Sequence, residues 1–271
     1  MNGADSAPAT QRYLREIGVR ESPRATCPFD PGYDPGTLEG HMEQSGHLVG
    51  TVKISMACWM VADEQVSRRK IRAVTALGIP AVAGGGPFEV AVAQGALPSY
   101  LDLCADMGIT RIECGEGFTE LSLKPHEIVL QARERGLEVE FELGEKHSGR
   151  FTDDATTELI ASGKQWLDAG AVRLVVEARE SAEDVGLFSA PGEFDTRQAD
   201  RLAETFGLQR LLFEAPNKAS QFALIDHFGP EVQLGNVRLE EILRVEIYRR
   251  GLHSDAFRRE NLRPRRAAET T

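Results

Sequence analysis

RLVVEARES, residues 173–181, is an apolar, mostly β-branched run that stops abruptly at Glu177, Arg179 and Glu180. A short run of this kind predicts a buried parallel strand that delivers polar side chains at its C-terminal end. The same pattern recurs in ITRIECGE (109–116), LEVEFELGEK (137–146) and RLLFEAPNK (210–218). Consecutive predicted strands therefore end on or near Glu113, Glu142, Glu177 and Glu214. Carboxylates gathered at one end of a parallel sheet mark an active-site face, and several together suit a divalent cation.

Outward from these strands the alternation is regular. Strands are expected at 25–30, 47–55, 79–83, 109–114, 138–143, 172–177, 210–214 and 232–237. Helices are expected near 37–46, 63–77, after Pro87, and at 99–107, 124–135, 154–169, 195–206, 218–228 and 239–250. Gly78, Gly136, Gly170 and Gly251 close four of them, as glycine does at helix C-termini. Eight strands, each followed by a helix, predict an α/β fold of the (β/α)8 TIM-barrel type in a single domain. A doubly wound open sheet would want a glycine fingerprint after the first strand, and none is present. Residues 1–22 are expected to form a partly disordered leader, 23–257 the barrel, and 258–271 a basic, polar tail.

Composition narrows the function. The chain has 271 residues, 41% of them hydrophobic and 27% charged, with a formal net charge of −11. That balance argues against nucleic-acid binding, which needs a basic surface. The four cysteines have neither CxxC nor zinc spacing, which suits reduced thiols in a cytoplasmic protein. No apolar run approaches the roughly 20 residues of a membrane helix, so no membrane partner is expected.

A barrel would bring several of these residues to one mouth. Glu113, Glu142, Glu177 and Glu214 are candidate metal ligands, with ion pairing to Lys53 or Arg179 as the plainer alternative. Lys146, just past the fifth strand, is a candidate proton donor and pairs with Glu142 as the candidate catalytic set. Lys53, Gly84, Gly85, Gly86, Arg179, Lys218 and Asn236 are candidate substrate-binding residues. The glycine triplet would let backbone N–H groups approach an oxyanion, although a simple strand-to-helix turn explains it almost as well. This set suits chemistry on a small anionic substrate through a stabilised enolate.

Further blocks sharpen the picture: GGGPFE (84–89), IECGEG (112–117), ELGEK (142–146), DAGAVRLVVEARES (168–181), FEAPNK (213–218), FGPEVQLGN (228–236) and RRGLHSD (249–255). Together these blocks resemble the phosphosulfolactate synthase family over residues 30–257. The resemblance implies a homo-oligomeric, Mg2+-dependent lyase that adds sulfite to phosphoenolpyruvate, with Lys146 at the position of the protonating lysine. It also implies an alternative, a non-catalytic barrel similar to heat-stress-associated relatives. A barrel aldolase acting through a Schiff base would have Lys53 as its lysine.

The chain departs from the family pattern at several points. Asp30-Pro31-Gly32 lacks a lysine, and ISMAC (54–58) replaces a glycine- and tryptophan-rich turn. Gly86 stands for a threonine, Gln233 for an asparagine, and residues 253–256, HSDA, for an arginine-glycine-aspartate-threonine run. These positions are expected to hold the phosphate or the nucleophile, so another small nucleophile or a related enol acid is also open.

Overall fold

The computed structural model describes residues 7–119, 123–144 and 149–265. Eight parallel strands close into a barrel: β1 (Thr26–Asp30), β2 (Val52–Ile54), β3 (Ala81–Ala83), β4 (Arg111–Cys114), β5 (Glu138–Leu143), β6 (Arg173–Val176), β9 (Leu211–Glu214) and β10 (Gln233–Val237). Strands β7 (Phe188–Ala190) and β8 (Glu193–Phe194) form a separate antiparallel hairpin in the segment after β6. The barrel strands follow the order β1-β10-β9-β6-β5-β4-β3-β2, as successive β/α units require.

The helices are α1 (Ala9–Glu16), α2 (Pro35–Ser45), α3 (Cys58–Val61), α4 (Glu64–Thr75), α5 (Gly85–Ala93) and α6 (Leu97–Met107). They continue with α7 (Pro125–Arg133), α8 (Asp153–Ala169), α9 (Thr196–Phe206), α10 (Lys218–Phe228) and α11 (Ile242–Arg249). Local chemistry starts and stops them. Asp63, Thr152 and Asp195 accept N-terminal amides of α4, α8 and α9, and Asn217 with Ser220 forms a capping box on α10. Gly78, Gly136, Gly170 and Gly251 all take positive φ, so each of the four predicted stops turns through the left-handed region.

Strand periodicity explains the layers. In β4 and β5 the apolar residues Ile112, Cys114, Val139, Phe141 and Leu143 belong to the core shared with the helices. Phe141, for example, stacks on Trp166 of α8 at 4.5 Å between ring centroids. The intervening residues Arg111, Glu113, Glu140 and Glu142 are buried and charged, and they fill the barrel interior. Toward the N-terminal end, Arg173 Nε donates to Glu140 Oε2 at 2.7 Å and its Nη2 to Thr51 Oγ1 at 2.9 Å. Arg111 Nη1 reaches the same Glu140 oxygen at 3.4 Å. Cys27, Val175 and Leu212 form a thin apolar layer of their own. Lys53 and the four glutamates of the sequence pattern lie beyond it.

Two expectations need correction. The segment 47–55 is strand only over Val52–Ile54, because residues Gly46–Leu48 coil into a 3-10 turn. Pro87 is not the first residue of its helix; α5 begins at Gly85, and Gly84 caps it. The short helix α3 and the β7–β8 hairpin carry no periodicity long enough to announce them. No helix among the described residues is long and apolar enough to cross a membrane.

Removing Arg173 leaves buried Glu140 with only the longer 3.4 Å contact to Arg111, and breaking a buried pair typically costs up to about 3–5 kcal/mol. Arg173→Met should therefore lower the urea midpoint substantially, while Arg197→Met, whose exposed partner is Asp153, should leave it within about 1 kcal/mol. Equal midpoints for the two variants would refute the role given to the interior pair.

Candidate active site

The C-terminal ends of the barrel strands open into a cavity of about 1040 Å³. Its floor is a cluster of charge. Lys53 Nζ, from the middle of β2, lies 2.9 Å from Glu113 Oε2 and 3.1 Å from Glu214 Oε1. Both carboxylates are buried, as are Glu142 and Glu177. One oxygen each from Glu142, Glu177 and Glu214 fall within 4.8 Å of one another. Glu142 Oε2 is buried and finds no hydrogen-bond partner among the described residues.

Backbone groups hold this cluster in place. Glu113 Oε1 accepts the Gly85 N–H at 3.0 Å, and Glu214 Oε2 accepts the Ala178 N–H at 3.1 Å. The Glu177 carboxylate accepts the N–H of Arg179, whose φ of 55° puts it in the left-handed region. A non-glycine residue there carries strain on the order of 1 kcal/mol or more, a feature common at functional sites. Gly115 lets the chain pass close to Glu142, since a Cβ there would stand 3.1 Å from Glu142 Oε2 and 3.3 Å from Glu142 Cβ and press on that side chain.

Charge balance sets the protonation states. Burial alone would pull the Lys53 pKa down, but Glu113, Glu214 and Glu142 outweigh it and hold the ammonium well above its ordinary range. Burial pushes the Glu113 carboxyl up to about 7 against the pull of Lys53. Burial also acts to raise Glu214, but Lys53 and the Ala178 N–H prevail, and its pKa falls. A Schiff-base lysine needs a free amine, so the geometry at Lys53 opposes the aldolase reading.

The predicted site residues separate in space. Lys53, Gly84, Gly85, Gly86, Glu113, Glu142, Glu177, Arg179, Glu214 and Asn236 all line the cavity. Lys218 does not: it starts α10 and is half-exposed, with Nζ 3.2 Å from Asp255 Oδ2 and 5.1 Å from the Phe222 ring centroid. The Gly85 N–H expected to meet an oxyanion is already committed to Glu113. Lys146 lies outside the described residues.

The departures separate too. Gln233 opens β10 at its N-terminal end, donating to the carbonyls of Leu208 and Gln209 at 3.2 and 2.9 Å. His253 and Asp255 lie away from the cavity lining. Asp30 is held by Lys70 of α4, whose ammonium also donates to Tyr33 O at 2.9 Å. Met56 and Ala57 of the ISMAC stretch, and Gly86, do line the mouth.

Two residues escaped the sequence reading. Arg238 follows β10 and lines the cavity, with its guanidinium 6.0 Å from the Phe29 ring centroid. Glu89 of α5 is fully buried and clasps the segment after β4. Its oxygens accept the N–H groups of Gly117, Phe118 and Thr119 at 3.0–3.1 Å, and the Thr119 hydroxyl at 2.6 Å. The carboxylate in GGGPFE was the available signal, but its partners lie 28–30 residues away.

Known proteins resemble this chain over most of its length. The family model of (2R)-phospho-3-sulfolactate synthase (ComA) matches residues 20–255. A phosphosulfolactate synthase of Methanocaldococcus jannaschii is 32% identical over 236 residues, covering 86% of this chain and 93% of that protein. Another, from Methanothermobacter thermautotrophicus, is 27% identical over 241 residues, covering 88% and 92%. Among solved structures, UMP synthase of Leishmania donovani matches with a TM-score of 0.54 at 15% identity, covering 90% of this chain and 57% of that one. That last likeness shows the barrel fold alone.

Two variants test the site's construction. Lys53→Met leaves Glu113 and Glu214 without their cation and should cost about 3–5 kcal/mol in urea unfolding at neutral pH; wild-type stability would show that the ammonium is dispensable. Glu89→Ala removes the clasp, and hydrogen bonds to a charged group are worth about 1.5–3 kcal/mol each. Chymotrypsin should then cut after Phe118 about 10- to 100-fold faster, whereas an unchanged cleavage rate would remove Glu89 from this role.

Proposed function

The chain belongs to the (2R)-phospho-3-sulfolactate synthase family, and from that premise we propose a metal-dependent lyase-type addition of a small nucleophile to phosphoenolpyruvate or a related enol acid. Sulfite is the first nucleophile to test. The observation that carries this reading is the buried trio Glu142, Glu177 and Glu214 at the cavity floor, with Lys53 against one member.

The donor set fits Mg2+. It offers hard carboxylate oxygens, and Glu142 keeps a buried oxygen with no described partner. A magnesium ion held by Glu142, Glu177 and Glu214 would supply positive charge against the substrate carboxylate as electron density builds on it. The remaining roles fall to the chain itself.

Arg179, Arg238 and Asn236 stand at the mouth and would bind and orient the substrate's anionic groups. Lys53, kept charged by its carboxylates, fixes the positions of Glu113 and Glu214 and tempers the negative charge of the floor. Sulfite would add through its sulfur lone pair to the terminal carbon of the enol ester, moving the π electrons toward the carboxylate. A proton must then reach the adjacent carbon, and by resemblance Lys146 is its donor.

The test is a mass-spectrometric assay with protein, Mg2+, phosphoenolpyruvate and either sulfite or a panel of other small nucleophiles. A sulfonated product that keeps its phosphate is expected, lost with a chelator and restored by Mg2+. Glu177→Gln should reduce turnover by on the order of 100-fold or more, as loss of a metal-ligand carboxylate would. Absence of turnover with every nucleophile, together with absence of Mg2+ and phosphoenolpyruvate binding, would overturn the reading in favour of a non-catalytic barrel.

A further inference from the structure

The cavity lining is of two kinds. Lys53, the glutamates, Arg179 and Arg238 supply charge, and Met56, Met60, Val90, Leu103 and Phe118 supply apolar surface. These five side chains come from four separate places: the segment after β2 together with α3, then α5, α6 and the segment after β4. Met56, Met60, Val90 and Phe118 are 54, 46, 53 and 47% exposed. Single exposed apolar residues are ordinary, but five lining one concave site are not.

The wall is also built and held. Met56 sits at a φ of 50°, a costly conformation for a residue with a long side chain. Glu89 binds the backbone N–H of Phe118, which fixes the segment that carries the ring. A three-carbon enol acid has a single CH2 to offer such a surface, so its charged groups would meet the charged residues and leave the apolar ones facing water. Of residues 54–58, Ser55, Met56 and Ala57 line the cavity, and Met56 belongs to the apolar group.

We infer that the acid substrate of this chain carries an apolar substituent, alkyl or aryl, which lies against Met56, Met60, Val90, Leu103 and Phe118 while its anionic groups meet the charged residues. This rests on the proposed enol-acid reading and narrows it to a substrate class. Both kinds of residue line one cavity, so a single ligand can meet both. Flexible methionines suit a surface that adapts to such a group.

The test is calorimetric binding, in Mg2+, of phosphoenolpyruvate and its C3-methyl, C3-propyl and C3-phenyl analogues to the full chain. Affinity should rise along the alkyl series by about fourfold per covered methylene. Val90→Gln and Leu103→Gln, on exposed or part-exposed helix positions, should flatten that rise. Equal affinities across the series in the unaltered chain would overturn the inference and leave the enol-acid reading standing. The same holds if a concentration-dependent dimer, disrupted by Val90→Gln, accompanies the flat series, because a second copy would then cover the wall. Failure of every compound to bind, phosphoenolpyruvate included, would overturn both.

Discussion

The contact of Lys53 with Glu113 and Glu214 is the constraint on which the rest of the site depends. Four buried carboxylates within one barrel end would repel one another and drive protons on or water in. A single ammonium inserted from β2 makes the group tolerable without filling it. Its charge is shared between two carboxylates on opposite sides of the barrel, which leaves Glu142 and Glu177 facing the cavity with their oxygens near those of Glu214.

The interior beneath follows the same logic. Barrels of this type commonly fill their centre with branched apolar residues. Here Arg173, Glu140 and Arg111 form a charged lower layer, and only Cys27, Val175 and Leu212 separate it from the carboxylates above. Such pairs contribute little net stability relative to apolar packing, but they are costly to break singly. Their value here is positional: register sets Glu140 of β5 against Arg173 of β6, while Arg111, opposite Glu138, reaches Glu140 from β4.

The strand ends were legible because each is a short apolar run that stops at a glutamate, with apolar–charged alternation added in β4 and β5. Glu113, Glu142, Glu177 and Glu214 reach one place for that reason. What was not legible depends on contacts between distant segments. Arg238 enters the mouth past Asn236, which takes a φ of 53° that composition does not reveal. Glu89 takes its role from partners across the β4 segment, 28–30 residues away. Lys218 looked like a mouth cation because it follows a strand closely, yet the α10 N-terminus directs it to Asp255. The missing lysine after Asp30 was read as lost charge, although Lys70 brings an ammonium to that aspartate from another helix.

The lower layer of Arg173, Glu140, Arg111 and Thr51 has a consequence for traffic. It closes the barrel from below, leaving beneath Lys53 a void of about 10 Å³, no larger than a water molecule needs. If the cavity takes the reactants proposed above, they and the product share the opening at the C-terminal ends of the strands.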